Sequence, residues 1–225
     1  MRERLSVPER RNYEESRPLD FVFDWRRVGS WCGLAGTTVF LIAWASAIAK
    51  TPGYRFGAQW VSDLGVGDGA AFFNTGVIAA GVLSIPFAAS LGAVLRTSRL
   101  GILGSIVLAL AGIALACVGV FTEKAGDIHL IVSVSFFSLI MLALVLLVLP
   151  FQGSRAMQPW TAQFTAGIIL LGIAIAAIFR AGPLVETMAV LLIAMWSLVI
   201  AWKLRWYLCV VHPEETLEAS SPKTG

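Results

Sequence analysis

The chain has little charge for its length. Charged residues make up 14% of its 225 residues, against about a quarter in soluble domains. That is too few to cover a water-facing surface, which excludes an ordinary soluble globule. Histidine is scarcer still: there are two, His129 and His212, and His212 belongs to a polar tail. Catalytic zinc wants three protein ligands rich in histidine, and paired-histidine haem ligation needs two in one bundle. No cofactor and no metal site is therefore expected. The carboxylates Asp63, Glu123, Asp127 and Glu186 would by themselves hold a hard cation only weakly. The three cysteines, Cys32, Cys117 and Cys209, show no CxxC spacing. They lie in or beside apolar segments and read as free thiols rather than a disulfide. Alternating strands are missing too, which argues against a transmembrane barrel.

What the chain has is apolar length. Hydrophobic residues make up 57% and the mean hydropathy is +0.79. A bilayer core needs roughly 20 apolar residues per helix. Stretches at about 28–49, 70–95, 99–121, 128–150, 161–180 and 184–206 meet that length. The fold expected is all-α, a polytopic six-transmembrane-helix bundle over residues 28–206. An N-terminal arm (residues 1–27) and a C-terminal tail (207–225) would flank it; both are polar and read as disordered. The first apolar run is too long for a signal peptide and is expected to be retained. Trp25, Trp31, Trp60, Trp160, Trp202, Trp206 and Tyr207 sit near helix ends, as an interfacial belt does.

Charge sets an orientation. All but four of the 17 Lys and Arg fall in the arm, in the loops after helices 2 and 4, and at the C-terminal end. The exceptions, Lys50, Arg55, Lys124 and Arg180, lie on the opposite side. The positive-inside rule then places both termini in the cytoplasm of a cell-membrane protein. The basic pI of about 9.0 is this orientation charge, so nucleic acid is not an expected partner. Gly29, Gly33, Gly36, Gly101, Gly104, Gly112, Gly119, Gly167 and Gly172 read as packing seams, since small residues let helices approach in lipid. Pro86 should kink the second helix.

The remaining loops carry carboxylates. The loop from Lys50 to Gly69 is long and glycine-rich, which suits a functional segment or one folded back on the bundle. It holds Trp60-Val61-Ser62-Asp63-Leu64-Gly65, with Asn74 just inside the next helix. The second segment runs Gly119-Val120-Phe121-Thr122-Glu123 to Asp127 and His129; the third runs Arg180 to Glu186. Polar groups at membrane depth are costly and usually pair. The expected polar cluster is Asp63, Asn74, Glu123, Asp127, His129 and Glu186. Ser62, Asp63 and His129 are the catalytic candidates, with Asp63 and His129 facing each other across the bundle as acid and base. Ser133 shares the helix face of His129. The bland readings are that Asp63 caps a short loop helix or pairs with Arg180, and that Glu186 stabilises a helix N-terminus.

Two of these segments resemble a known family. Val61-Ser62-Asp63-Leu64-Gly65 followed by Asn74, and Gly119-Val120-Phe121 followed by His129, resemble the signatures of the prokaryotic membrane family called domain of unknown function 998. Thr122 departs from that pattern, which has proline after the phenylalanine. The resemblance covers roughly residues 30–206 and implies a six-helix membrane protein without an assigned activity. The expectation is an integral membrane protein whose polar cluster binds a lipid headgroup or a partner, the latter including a second copy of the chain. The alternatives are a membrane-embedded lipid-modifying or hydrolytic enzyme using His129 and Asp63, and a small transporter. The absence of ionisable groups from the helix centres argues against the transporter.

Overall fold

The computed structural model describes residues 24–208. The bulk of the arm and tail, with Cys209 and His212, lies outside the described residues. Six α-helices carry the fold: α1 (Trp25–Lys50), α2 (Ala70–Val94), α3 (Arg99–Val120), α4 (Asp127–Gly153), α5 (Pro159–Phe179) and α6 (Pro183–Trp206). Each is long and apolar enough to cross a bilayer, and no strand occurs among the described residues. The starts follow local chemistry. Asp24 accepts the Arg26 N–H at 3.1 Å and pairs with Arg26 and Arg27, capping α1. Ser98 accepts the Gly101 N–H at 3.2 Å to cap α3. Pro159 and Pro183 open α5 and α6, where a missing N–H costs nothing.

Each helix packs on its neighbour in sequence, and α6 returns to α1, closing a ring. Four of the five connections are short, and neighbours in sequence run antiparallel, the longer α1–α2 connection folding back on its own end of the bundle. The starts of α1, α3 and α5 therefore share one end, here the terminal end. The α1–α2, α3–α4 and α5–α6 connections share the distal end. The tightest seams use expected glycines, Gly29 and Gly112 among them, and also Gly81, which was not expected. A Cβ at Gly29 would meet Pro86 and Ser90; one at Gly112 would meet Ser84; one at Gly81 would meet the α3 backbone. Gly167 and Gly172 differ from expectation. A Cβ at Gly167 would meet nothing, and one at Gly172 only Leu192 at 3.9 Å. Gly167 faces open space, whereas Gly172 looks toward α6 across a gap. Pro86 leaves α2 continuous, and Pro150 is accommodated near the end of α4.

The core is uneven. The main cluster (Phe87, Leu91, Leu147, Phe151, Met157, Trp196 and Leu204 among it) fills the middle and the terminal end. A smaller cluster of Trp44, Ala47, Val61, Leu64, Phe73 and Val77 lies under the α1–α2 connection. That connection folds back on the bundle, with Leu64 fully buried. The buried positions of α5, Thr161, Ala162, Thr165 and Ile168, all fall in its first half. There Trp196 Nε1 donates to Thr165 Oγ1 at 3.0 Å, and Lys203 Nζ donates to Gln158 Oε1 at 3.0 Å. Toward the distal end α5 buries nothing, and Ile178 is 72% exposed.

Candidate functional site

The uneven packing leaves a cavity of about 790 Å³ between α4, α5 and α6 at the distal end. Pockets that hold small ligands run from about 300 to 1,000 Å³. The walls come from one face of each helix: Phe137, Met141 and Leu144 on α4; Ile168, Gly172 and Ala176 on α5; Ala189 and Leu192 on α6. On α5 these positions recur every four residues, and two of them are small. The mouth is polar, formed by Trp60, Ser62, Glu123, His129, Ser133 and Glu186. A second cavity, about 100 Å³, lies in mid-bundle beside Cys32, Thr37, Ser84 and Ser197, and no Asp, Glu, His, Lys or Arg lines it.

Three connections build the mouth. The α1–α2 connection ends in a 3₁₀ turn, Ser62–Gly65, held from within and without. The Asp63 carboxylate, within the turn, accepts the N–H of Trp60 just before it at 2.9 Å. Glu186, in the first turn of α6, accepts the Val61 N–H at 2.7 Å and fastens the turn to α6. Ser62 Oγ donates to Glu123 Oε1 at 2.7 Å, tying it to the α3–α4 connection. Burial pushes the Glu123 carboxyl above its ordinary value. The Asp63 carboxylate beside it pushes the same way, while the Ser62 hydrogen bond, and His129 when its ring is protonated, pull it back. The Tyr54 phenol is also raised, by burial first and then by Glu186 and Asp63. Three carboxylates thus impose a negative field on the mouth, and among the described residues no lysine or arginine forms an ion pair with any of them.

His129 is fixed by its own connection. Its Nδ1 lies 2.7 Å from the Phe121 carbonyl oxygen and its Nε2 lies 3.3 Å from Ser133 Oγ. A carbonyl can only accept, so Nδ1 carries the proton. Gly126, at φ +59°, makes the tight turn that lets α4 begin immediately after this segment.

The expected cluster therefore divides. Ser62, Glu123, His129 and Glu186 line the mouth, and Asp63 stands beside Glu123 without lining it. Asn74 does not line it; its amide donates to the Gly65 carbonyl at 2.9 Å. A Cβ at Gly65 would meet Asn74 Oδ1 at 2.8 Å, and one at Gly119 would meet the Asn74 carbonyl at 2.8 Å. Gly65, Asn74 and Gly119 thus form one packing knot beneath the turn. Asp127 is exposed in the first turn of α4 and does not line the cavity. The hydrogen bonds of His129 go to Phe121 and Ser133 rather than to Asp63, and Arg180 forms no ion pair with Asp63. Sequence reasoning missed the apolar cavity; it placed Ser133 on the helix face of His129 by four-residue spacing, and the structure adds their contact. Among the described residues, no three His, Cys, Asp or Glu stand close enough to hold a metal ion.

No curated protein and no solved structure matches the chain. The model of a family described as "Protein of unknown function (DUF998)" matches residues 34–203.

Proposed function

Because the chain belongs to the DUF998 family, whose description assigns no activity, we propose a function from the site itself: this integral membrane protein binds a membrane amphiphile, with its apolar chain between α4, α5 and α6 and its headgroup at the mouth. The observation that carries this reading is the continuity of one cavity. It runs from Ser62, Glu123, His129 and Glu186 to walls of Phe137, Met141, Leu144, Ile168 and Leu192. A headgroup at one end and hydrocarbon at the other is the polarity of a lipid.

The mouth also selects chemistry. Carboxylates with no paired cation favour a headgroup that brings an amine or hydroxyl donors, and disfavour a bare phosphate. Trp60 at the rim adds an indole, a ring of the kind that attracts cations. The excess of Lys and Arg toward the terminal end supports placing this mouth on the extracytoplasmic side of the cell membrane.

The test is photocrosslinking. The full chain, in lipid nanodiscs containing a diazirine-tailed phosphatidylethanolamine, is irradiated and its peptides are mapped. Labels are expected on α4, α5 and α6 within the cavity. Gly172→Trp, which fills it, should remove them. Gly167→Trp, at a position with no neighbour within 4 Å, should leave them in place. Labels distributed evenly over all lipid-facing helices, in both variants alike, would overturn the reading.

A further inference from the structure

We propose that Ser133 and His129 are a nucleophile and its general base, acting on the ester linkage of a lipid held in this cavity. The inference rests on the amphiphile-binding reading and adds a reaction to it.

The tautomer comes first. With the proton of His129 held on Nδ1 by the Phe121 carbonyl, the neutral ring presents a lone pair at Nε2. Ser133 Oγ, 3.3 Å away, donates to it. A serine hydroxyl donating to an imidazole whose far nitrogen is fixed by a hydrogen-bond acceptor is the arrangement that activates serine in acyl transfer. Here a backbone carbonyl fills the place of the acid. Contacts of this kind are often long before substrate is bound.

Other hydroxyls in these helices show what Ser133 departs from. Thr37, Ser46, Ser105 and Thr165 each donate to a backbone carbonyl one turn earlier on their own helix. That is the ordinary way to satisfy a hydroxyl in an apolar helix. Ser133 instead gives its hydrogen bond to a side-chain base, and both partners line the cavity. The sequence arranges this simply: positions 129 and 133 lie one turn apart on one face of α4.

Position then names the substrate class. Ser133 stands about one turn, roughly 6 Å, further into the bundle than His129. Above it are the carboxylates of the mouth; beyond it Phe137, Met141 and Leu144 continue the same wall. An amphiphile with its headgroup at the mouth and its chain along that wall brings the linkage between the two beside Ser133. In a glycerolipid that linkage is a carboxylic ester.

The step balances within these groups. Ser133 Oγ bonds to the ester carbonyl carbon as its proton moves to His129 Nε2. The tetrahedral species collapses, the bond to the lipid alcohol breaks, and His129 returns the proton to that alcohol. Water from the mouth then attacks the acyl-serine. Its proton passes through Nε2 to Ser133 Oγ, releasing the fatty acid.

The test uses the full chain in nanodiscs and a long-chain alkyl fluorophosphonate, which phosphonylates an activated serine with loss of fluoride. The expected result is a covalent adduct on the Ser133 peptide, absent in Ser133→Ala. It should form about a hundredfold more slowly in His129→Gln, the scale of a lost general base. It should be unchanged in Ser46→Ala, whose hydroxyl bonds to the Ile42 carbonyl. Retained photolipid labelling in Ser133→Ala shows that the variant is folded. No adduct on Ser133 while the photolipid still labels the cavity would overturn the nucleophile and leave lipid binding standing. Loss of both signals in the wild-type chain would overturn both.

Discussion

Single residues in the mouth differ in what they contribute, and two of them separate structure from charge. Glu186 receives the Val61 N–H at 2.7 Å, from a residue that is 2% exposed. Glu186→Ala should leave that donor unpaired and cost about 1–3 kcal/mol, read as a fall in thermal midpoint in detergent. Glu186→Gln keeps an acceptor oxygen and should recover most of it. Equal losses in both would show that the charge, not the hydrogen bond, matters. Glu123 is the reverse case. Its pKa lies above the ordinary 4.5, from burial first, so the folded chain takes up that proton at higher pH than the unfolded chain does. Ionised Glu123 therefore costs stability near neutrality. The cost is relieved as pH falls through the raised value toward 4.5. Thermal midpoints of wild type and Glu123→Gln, measured from pH 7.5 downward, should converge as pH falls. A constant gap would contradict this. The same proton should weaken photolabelling by an amine-bearing lipid, because it removes one negative charge from the mouth.

At the scale of elements, the glycines sort the helices into packed and open faces. Gly112 of α3 lies against Ser84 and the Gly81 carbonyl of α2, whereas Gly167 of α5 faces open space. Gly112→Val should cost about 1–3 kcal/mol through overpacking. Gly167→Val should stay within about 0.5 kcal/mol of wild type. Comparable losses at the two sites, by detergent thermal unfolding, would mean that α5 packs against something on that face. The same contrast explains how far the sequence could be read. The number and extent of the helices were legible because bilayer thickness imposes a minimum apolar length. The open face of α5 was not, because a lipid-facing helix is apolar all round and its pattern does not mark which side meets protein. The gathering of Ser62, Asp63, Glu123, His129 and Glu186 was legible because the topology brings their loops to one end. The partner of His129 was legible only in part: spacing put Ser133 on its face, but Asp63 was expected to meet it and instead accepts the Trp60 N–H. Asn74 was singled out for its polarity, yet that polarity serves the Gly65 carbonyl.

For the whole molecule, the proposed orientation makes its own prediction. In a chain whose native cysteines are replaced by alanine, Ala58→Cys sits on the exposed α1–α2 connection. Gly153→Cys sits at the other end of the bundle with no neighbour within 4 Å. A membrane-impermeant maleimide should label the first in intact cells and the second only after permeabilisation. The reverse pattern would invert the molecule and place the mouth in the cytoplasm. The depth of the cavity has a further consequence. Ile168, the deepest cavity residue on α5, lies about 16 Å along the helix from its distal end at Phe179. That is roughly half the hydrocarbon thickness, and beyond it α5 is pinned by Thr165 to Trp196 and by Gln158 to Lys203. An amphiphile seated there draws on one leaflet alone and has no path to the other. The protein would therefore sample the composition of a single monolayer, and its occupancy would follow lipid asymmetry rather than total lipid content.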